Sequence, residues 1–238
     1  MLDAEVAAQT FAYGYVDFLS LLTIANQRCL LEHSRQVEYR AGSVAVAAGE
    51  FGRTFLLRRG LVRIYWAASD GRETTITFIY PGNLVGAPLL VPSAGGMQRW
   101  PGSVAAQIVV DSTLTVLDLE TVRRVAAREI EVVTAIATCL AARVLHDVRK
   151  LAVGSLGNIP ERLAIDLLER ATRTQRSHGR LEARATHQDL ADSIGSSREV
   201  VSRTLKVLRA DKIVETTPGL TRILDPIRLA TTVHAYVA

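Results

Sequence analysis

The sequence predicts an α+β protein in three parts: an antiparallel β jelly roll, one long helix, and a helix–turn–helix closed by a β-hairpin. Three observations lead there. Between about 36 and 119, short β-prone runs are cut by closely spaced turn signals. From 120 to about 153 a helical pattern runs without a Gly or Pro. Between 186 and 224, two helical stretches meet at Gly195 and two short β-runs meet at Pro218-Gly219.

In chain order, residues 5–32 read as helical, with Phe11, Tyr15, Phe18, Leu19, Leu22 and Leu30 forming an intermittent apolar face. The β-prone runs that follow are 54–57, 61–66, 74–79, 105–110 and 114–119. They are separated by Gly49-Glu50, Gly60, Asp70-Gly71, Pro81-Gly82, Gly95-Gly96, Pro101-Gly102 and Asp111-Ser112. Asp70-Gly71 is a hairpin turn in its own right.

The next segment reads as one helix of roughly 30 residues, about 45 Å long, which exceeds what packing on a barrel requires. Ala126, Ile130, Val133, Ala137, Leu140, Val144 and Leu151 form a stripe spaced by fours and threes, with Asp147 the polar exception. That is a coiled-coil seam, so two copies are expected to join through Ile130, Val133, Ala137, Leu140, Val144 and Leu151. Gly154-Ser155-Leu156-Gly157-Asn158 ends the pattern, and Pro160 suits the first turn of a new helix. The chain is therefore expected to divide into a barrel domain with its N-terminal helix (1–119), a dimerisation helix (120–153), a hinge (154–159) and a helical domain (160–238).

Composition is compatible with this plan. The 238 residues, 48% of them hydrophobic, can bury two cores. The net charge is +4, and its distribution is informative: residues 196–212 hold five cations against two acids. Met1-Leu2-Asp3-Ala4-Glu5 is acidic where a secretory leader would be basic, and no apolar run approaches the ~18 residues a membrane span needs. A cytoplasmic, soluble protein with no membrane partner is expected. Cys29 and Cys139 are too few for a disulfide framework.

The helix pair carries the chemistry. In the first helix Thr186 can serve as N-cap with Asp189 completing a capping box, while Leu190, Ala191 and Ile194 face inward. Ser197 can cap the second helix. At about 100° per residue, Arg198, Arg209, Ser202, Lys206, Glu199 and Arg203 fall on one arc of roughly 140°. Val207, Val200, Thr204, Leu208, Val201 and Leu205 occupy the opposite arc. Such a helix can pack on a small core and offer cations, a hydroxyl and a carboxylate to the edges of bases in a DNA major groove. Arg198, Glu199, Ser202 and Arg203 are the candidate base readers. Thr186, His187, Gln188, Ser197 and Lys206 are the candidate phosphate contacts, helped at the helix N-termini by the backbone dipole. The hairpin after them completes a winged helix-turn-helix.

Residues 197–203, Ser-Arg-Glu-Val-Val-Ser-Arg, resemble the recognition helix of the cyclic-AMP receptor protein / fumarate–nitrate reductase regulator (CRP/FNR) superfamily. Arg198, Glu199 and Arg203 match the Arg-Glu-x-x-x-Arg of one branch, while Glu199, Ser202 and Arg203 match the Glu-x-x-Ser-Arg of the other. In the barrel, Gly60-Leu-Val-Arg63, Asp70-Gly-Arg-Glu73 and Pro81-Gly-Asn-Leu-Val-Gly86 resemble the superfamily's sensor in order and spacing, so the resemblance covers nearly the whole chain. It implies a cyclic-nucleotide-binding-like sensor domain, a homodimer joined by the long helix, and a bacterial transcription regulator. Its expected partners are a palindromic duplex operator with TGA in each half-site, a second copy of the chain, and RNA polymerase.

The resemblance also sets requirements that the barrel does not meet. Cyclic-nucleotide binders of the superfamily supply a Gly-x-Glu-type acid for the ribose and an Arg-Ser pair for the cyclic phosphate. Here Gly86 is followed by Ala87-Pro88-Leu89, and the Arg-Ser positions fall near Val104-Ala105, with Arg99 and Ser103 close by. Without a cation, burying a cyclic phosphate is costly, so cyclic AMP and cyclic GMP are not expected to bind. An iron–sulfur cluster needs more thiolates than two cysteines provide. For haem, His33 and His146 are candidates by residue type alone, and haem is not expected either. Cys139 reads as a small buried hydrophobe. No cofactor is predicted and the effector is unidentified.

Two other functional classes fit the sequence less well. A cupin-like jelly-roll metalloenzyme with an appended helical domain needs clustered His and carboxylates in its barrel, but 36–119 contains no histidine. No nucleophile–base pair stands out, so no enzyme is expected. A winged helix that binds RNA or protein is less suited to the Arg/Glu/Ser/Arg face, because RNA readers present stacking aromatics.

Overall fold

The computed structural model describes residues 16–50, 52–91, 101–156, 158–178 and 180–232. Of the apolar face expected over 5–32, Phe11 and Tyr15 lie outside these residues. The described part is not one helix. Asp17 Oδ1 accepts from the amides of Leu19 and Ser20 and starts a 3₁₀ turn, Leu19–Leu21. Leu22 and Thr23 are then extended, and Thr23 caps a separate helix α1, Ile24–Leu31. Phe18, Leu22 and Leu30 are buried, as the apolar pattern requires.

Six strands follow: β1 (Arg35–Tyr39), β2 (Val44–Val46), β3 (Thr54–Ala67), β4 (Glu73–Ile79), β5 (Leu84–Val85) and β6 (Val104–Leu117). All pairings are antiparallel, in the order β1-β6-β3-β4, with β2 on β6 and β5 on β3. Residues 54–57 and 61–66, expected as two strands, form the single 14-residue β3, and 105–110 and 114–119 merge likewise into β6. Gly60 and Asp111-Ser112 are therefore bends rather than turns. Where the two long strands cross, their register shifts between Leu57 and Val62. Gly60 has φ +111°, and a Cβ there would lie 2.0 Å from Ser112 Oγ. Glycine is needed because the bent strands touch. At Asp70-Gly71 the expected hairpin forms, with Gly71 at φ 82°.

Both faces of β3 are covered. Phe55, Leu57, Val62 and Ile64 join Val46, Ile79, Ile108 and Leu114 inside the roll. Leu56 points the other way, into a cluster with Phe18, Leu30, Leu84, Leu117 and Val122. Arg63, also fully buried, donates to Thr75 Oγ1 at 2.8 Å, Gln107 Oε1 at 3.1 Å and Glu73 Oε2 at 3.0 Å, and stacks over the Tyr65 ring at 4.7 Å. It ties β3 to β4 and β6.

The long helix expected from 120 is two helices. Asp118 caps α2 (Leu119–Ala126) by accepting from the Thr121 amide at 2.8 Å. After the turn at 127–129, α3 runs Ile130–Leu156. The break lets Val122 and Ala126 of α2 enter the barrel's outer cluster together with Val132, Ala135 and Ile136 of α3. Ala126 is thus a core residue, not part of an open seam. On α3, Ile130, Val133 and Val144 are exposed, as is Ala137, whereas Leu140 is half-buried against the barrel. The side chain of Leu151 lies outside the described residues. The hinge expected over 154–159 is shorter than that, because α3 continues through Gly154, a residue a helix tolerates at roughly 1 kcal/mol. The compact units divide after Asp147, within this helix.

The second unit contains α4 (Ile159–His178, with Pro160 in its first turn), β7 (Glu182–Arg184), α5 (His187–Ile194), α6 (Arg198–Ala210), β8 (Val214–Thr217), β9 (Leu220–Ile223) and α7 (Pro226–Thr232). The hairpin forms around Pro218-Gly219 with Gly219 at φ 72°, and β7 adds a third strand in the order β7-β9-β8. Leu163, Leu167, Leu190, Val201, Leu205 and Leu208 are buried in this unit. Among the described residues no helix is long and apolar enough to cross a membrane.

Candidate nucleic-acid interface

Local hydrogen bonding sets the angle between α5 and α6. Thr186 and Asp189 form the expected capping box: the Thr186 amide donates to Asp189 Oδ2 at 2.8 Å and the Asp189 amide to Thr186 Oγ1 at 3.1 Å. Gly195 ends α5 with φ 61° and ψ 52°, a left-handed conformation that suits glycine. Two residues later Ser197 caps α6 by accepting from the Val200 amide at 3.4 Å.

On α6 the inward residues are Val201, Leu205 and Leu208. Arg198, Glu199, Arg203, Lys206 and Arg209 are exposed. Val207, assigned to the apolar arc, is 56% exposed because it lies at that arc's edge. Arg203 and Lys206 make no hydrogen bond among the described residues, so both cations are available. The Glu199 carboxyl is held below its ordinary range by its own backbone N–H and then by the Ser197 hydroxyl, which keeps it an ionised acceptor at neutral pH.

The structure alters the roles open to the flanking residues. The Thr186 hydroxyl donates to Asp189 Oδ2 at 2.7 Å and is committed to the cap. Gln188 Nε2 donates to Asp192 Oδ1 at 2.7 Å. His187 Nδ1 lies 2.8 Å from the half-buried Ser202 Oγ, joining the two helices. Sequence patterning placed His187 and Ser202 in separate groups. Residues 15 positions apart meet only once the turn angle is set. In the wing, Arg222 bonds Glu182 Oε1 and Glu215 Oε2, each at 3.1 Å, and so is neutralised within the sheet.

A second candidate site is a cavity of about 300 Å³ between the barrel and α3. Gly86 (φ 85°) leads into a 3₁₀ turn, Ala87–Leu90, and both Ala87 and Val104 line the cavity. Ala87, where a ribose acid would stand, and Val104, one of the two positions for the phosphate-binding pair, thus lie on the cavity wall, and both are apolar. Arg99 lies outside the described residues. Sequence reasoning missed Arg143, which enters from α3 and donates through Nη1 to Thr77 Oγ1 at 2.6 Å and the Phe78 carbonyl at 3.1 Å. Cys139 also lines the cavity, and burial pushes its thiol up to about 12. Among the described residues no group of three or more His, Cys, Asp or Glu could hold a metal ion.

Comparison with known proteins agrees with both halves of the chain. The cyclic nucleotide-binding domain family matches residues 36–129, and the Crp-like helix-turn-helix domain family matches 161–232. The cAMP-activated global transcriptional regulator Vfr of Pseudomonas aeruginosa is 26% identical over 189 residues, spanning 78% of this chain and 87% of the relative. The cyclic AMP receptor protein of Thermus thermophilus is 28% identical over 188 residues, covering 79% and 82%. In fold, the chain is similar to a crp/fnr family regulator from Eubacterium rectale (TM-score 0.55, 20% identity, 92% of this chain and 98% of that one). It is also similar to the c-di-GMP responsive global regulator CLP of Xanthomonas campestris (TM-score 0.53, 21% identity, 84% and 99%). With the jelly roll, the capped helix pair and the wing in place, the chain belongs to the CRP/FNR family of transcription regulators.

Proposed function

We propose that the chain acts as a homodimer that reads a palindromic duplex site through α6 and is controlled by an effector other than a cyclic nucleotide at the barrel. The reading rests on one observation above the rest: Arg198, Glu199, Arg203 and Lys206 stand exposed on a helix whose opposite side is buried and whose N-terminus is capped. Arg203 can be bidentate to guanine and Glu199 can accept from cytosine N4, each good pair contributing about 1–3 kcal/mol of discrimination. Arg198 and Ser202 refine the reading, and Lys206 meets a phosphate.

Dimerisation is supported by the open side of α3. Ile130 is 79% exposed and Val144 59%, with Val133, Ala137 and Leu145 between or beside them. A row of apolar side chains along successive turns is costly in water and is covered when two such helices meet. Two copies related by a two-fold axis would place two α6 helices on matching half-sites, each expected to contain TGA. RNA polymerase is the expected protein partner of the bound dimer.

Vfr is named for activation by cAMP, which makes cyclic AMP the first effector to consider. The apolar Ala87 and Val104 at the cavity wall argue against it, because no acid or cation stands at those two positions to receive the ribose and the cyclic phosphate. The exposed Cys29 and half-buried Cys139 do not form the cluster an iron–sulfur centre requires, and a haem-ligating role for His33 or His146 has no further support.

Fluorescence anisotropy of the full chain against duplex DNA and single-stranded RNA, with sedimentation on the same sample, tests the reading. Salt-sensitive duplex binding by a dimer is expected. Preference for single-stranded RNA, or a monomer at micromolar concentration both on and off DNA, contradicts it.

A further inference from the structure

The cavity between the barrel and α3 has an unusual division of labour on its wall. Ile64, Ile76, Ile79, Leu84, Leu89 and Leu140 make most of it aliphatic. Hydrogen-bond donors are confined to a few side chains. Asn83, in the turn between β4 and β5, is only 6% exposed. Its backbone is fully used, the amide donating to the Tyr80 carbonyl at 3.1 Å and the carbonyl accepting from the Leu57 amide at 3.0 Å. The side-chain Nδ2 has no hydrogen-bond partner among the described residues. Leaving such a donor unmade costs roughly 1–3 kcal/mol, and a buried polar group that the chain itself does not satisfy points to a partner from outside.

Arg143 provides the second donor. Both of its bonds, to Thr77 Oγ1 and the Phe78 carbonyl, use Nη1. Nη2 and Nε make no hydrogen bond among the described residues. The guanidinium keeps its charge, and the Asp147 carboxylate, one helical turn along α3 and also on the cavity wall, acts on it electrostatically. The site therefore offers one cation, already partly balanced, and a neutral amide donor, set in an aliphatic chamber at the small end of the range for ligand pockets.

We propose that this cavity binds a small organic monocarboxylate with an apolar body, its carboxylate received by Arg143 and Asn83 and its body packed among Ile64, Ile76, Leu84, Leu89 and Leu140. As the regulator's effector class, this rests on the reading of the barrel as a sensor; as a binding site, it stands on the wall chemistry alone. A doubly charged phosphate would need more cations than the one shared with Asp147, and the ribose and base of a cyclic nucleotide, itself singly charged, would meet a mostly aliphatic wall. An amine would find one carboxylate on the wall, Asp147, whose charge already acts on Arg143, and would set a second cation beside that guanidinium. A neutral hydrocarbon would leave the donors of Arg143 and Asn83 unmet. A monocarboxylate satisfies both with charge-assisted hydrogen bonds. It would also engage α3 directly, through the residue next to the exposed Val144, so occupancy would act on the helix proposed to join the dimer.

Isothermal titration of the full chain with octanoate, octanamide, octylamine and cyclic AMP tests this, beside anisotropy with duplex DNA on the same preparation. Octanoate should bind at one site per protomer, octanamide about tenfold or more weakly, and octylamine and cyclic AMP not measurably. In Arg143→Leu, with folding checked by its melting curve, the preference for octanoate over octanamide should collapse to near unity. Wild-type protein that binds DNA but not octanoate overturns the cavity assignment and leaves the DNA reading intact. Equal binding of octanoate and octanamide by the wild type, or an undiminished octanoate preference in Arg143→Leu, also overturns it. Octanoate binding by protein that ignores duplex DNA supports the assignment while defeating the regulator reading.

Discussion

In the barrel, Arg63 is fully enclosed among a carboxylate, an amide, a hydroxyl and an aromatic ring of the same domain. On α6, Arg203 stands in solvent with no hydrogen bond to the described chain. The same side chain serves two purposes because the surroundings differ. A buried guanidinium is affordable only when the fold satisfies it, and it then holds strands together. An exposed guanidinium adds almost nothing to stability and remains free for a partner. Charge at Arg63 is thus structural, and charge on α6 is directed outward.

Substitutions can test that contrast from either side. The largest effect is expected where a satisfied buried charge loses one member. Arg63→Met should lower stability by about 3–5 kcal/mol, since the buried ion pair with Glu73 is broken from one side. A thermal or urea melt checks this; a loss under 1 kcal/mol would show that the cation is dispensable to the barrel. Next comes the open face of α3. Val133→Asp with Val144→Asp should abolish dimers while leaving each protomer folded, and reduce operator affinity by roughly 10²–10⁴-fold as the two reading helices lose their linkage. Sedimentation and anisotropy together distinguish this from unfolding.

On α6 the effects should be smaller and should differ in kind. Arg203→Ala should cost about 1–3 kcal/mol at the preferred site and relax the choice of one base, with the melting temperature unchanged. Lys206→Ala should weaken binding evenly across sequences and reduce the salt slope by about 1. If the two variants lose the same affinity on every duplex, the division between base reading and phosphate contact is wrong. At the small end, the cysteines should separate under alkylation at pH 8 in the native protein. Cys29 is exposed, whereas the Cys139 thiol, pushed up to about 12 by burial, stays protonated there and should react only on unfolding.

What could be read in the sequence follows the range of the interactions involved. The caps at Thr186 and Ser197, the Gly195 turn, the Asp70-Gly71 hairpin and the wing depend on residues within a few positions of one another, and all form as expected. Gly60 and Asp111-Ser112 carry turn residues for another reason: their strands bend against each other, which needs both strands in view. The break at 127–129 has no Gly or Pro to announce it and comes from packing of α2 on the barrel. Arg143 and Asn83 share a wall although 60 positions separate them, so no local pattern could have joined them. The contact between His187 and Ser202 is of the same kind.

Selection from random duplex DNA, run in parallel with the wild type and Arg203→Ala, tests the central claim most directly. Enrichment by the wild type of a two-fold symmetric motif with TGA in each half-site, and loss by the variant of the preference at that guanine alone, is the predicted result. A wild-type motif without two-fold symmetry, or a variant that selects the same motif unchanged, would contradict the account.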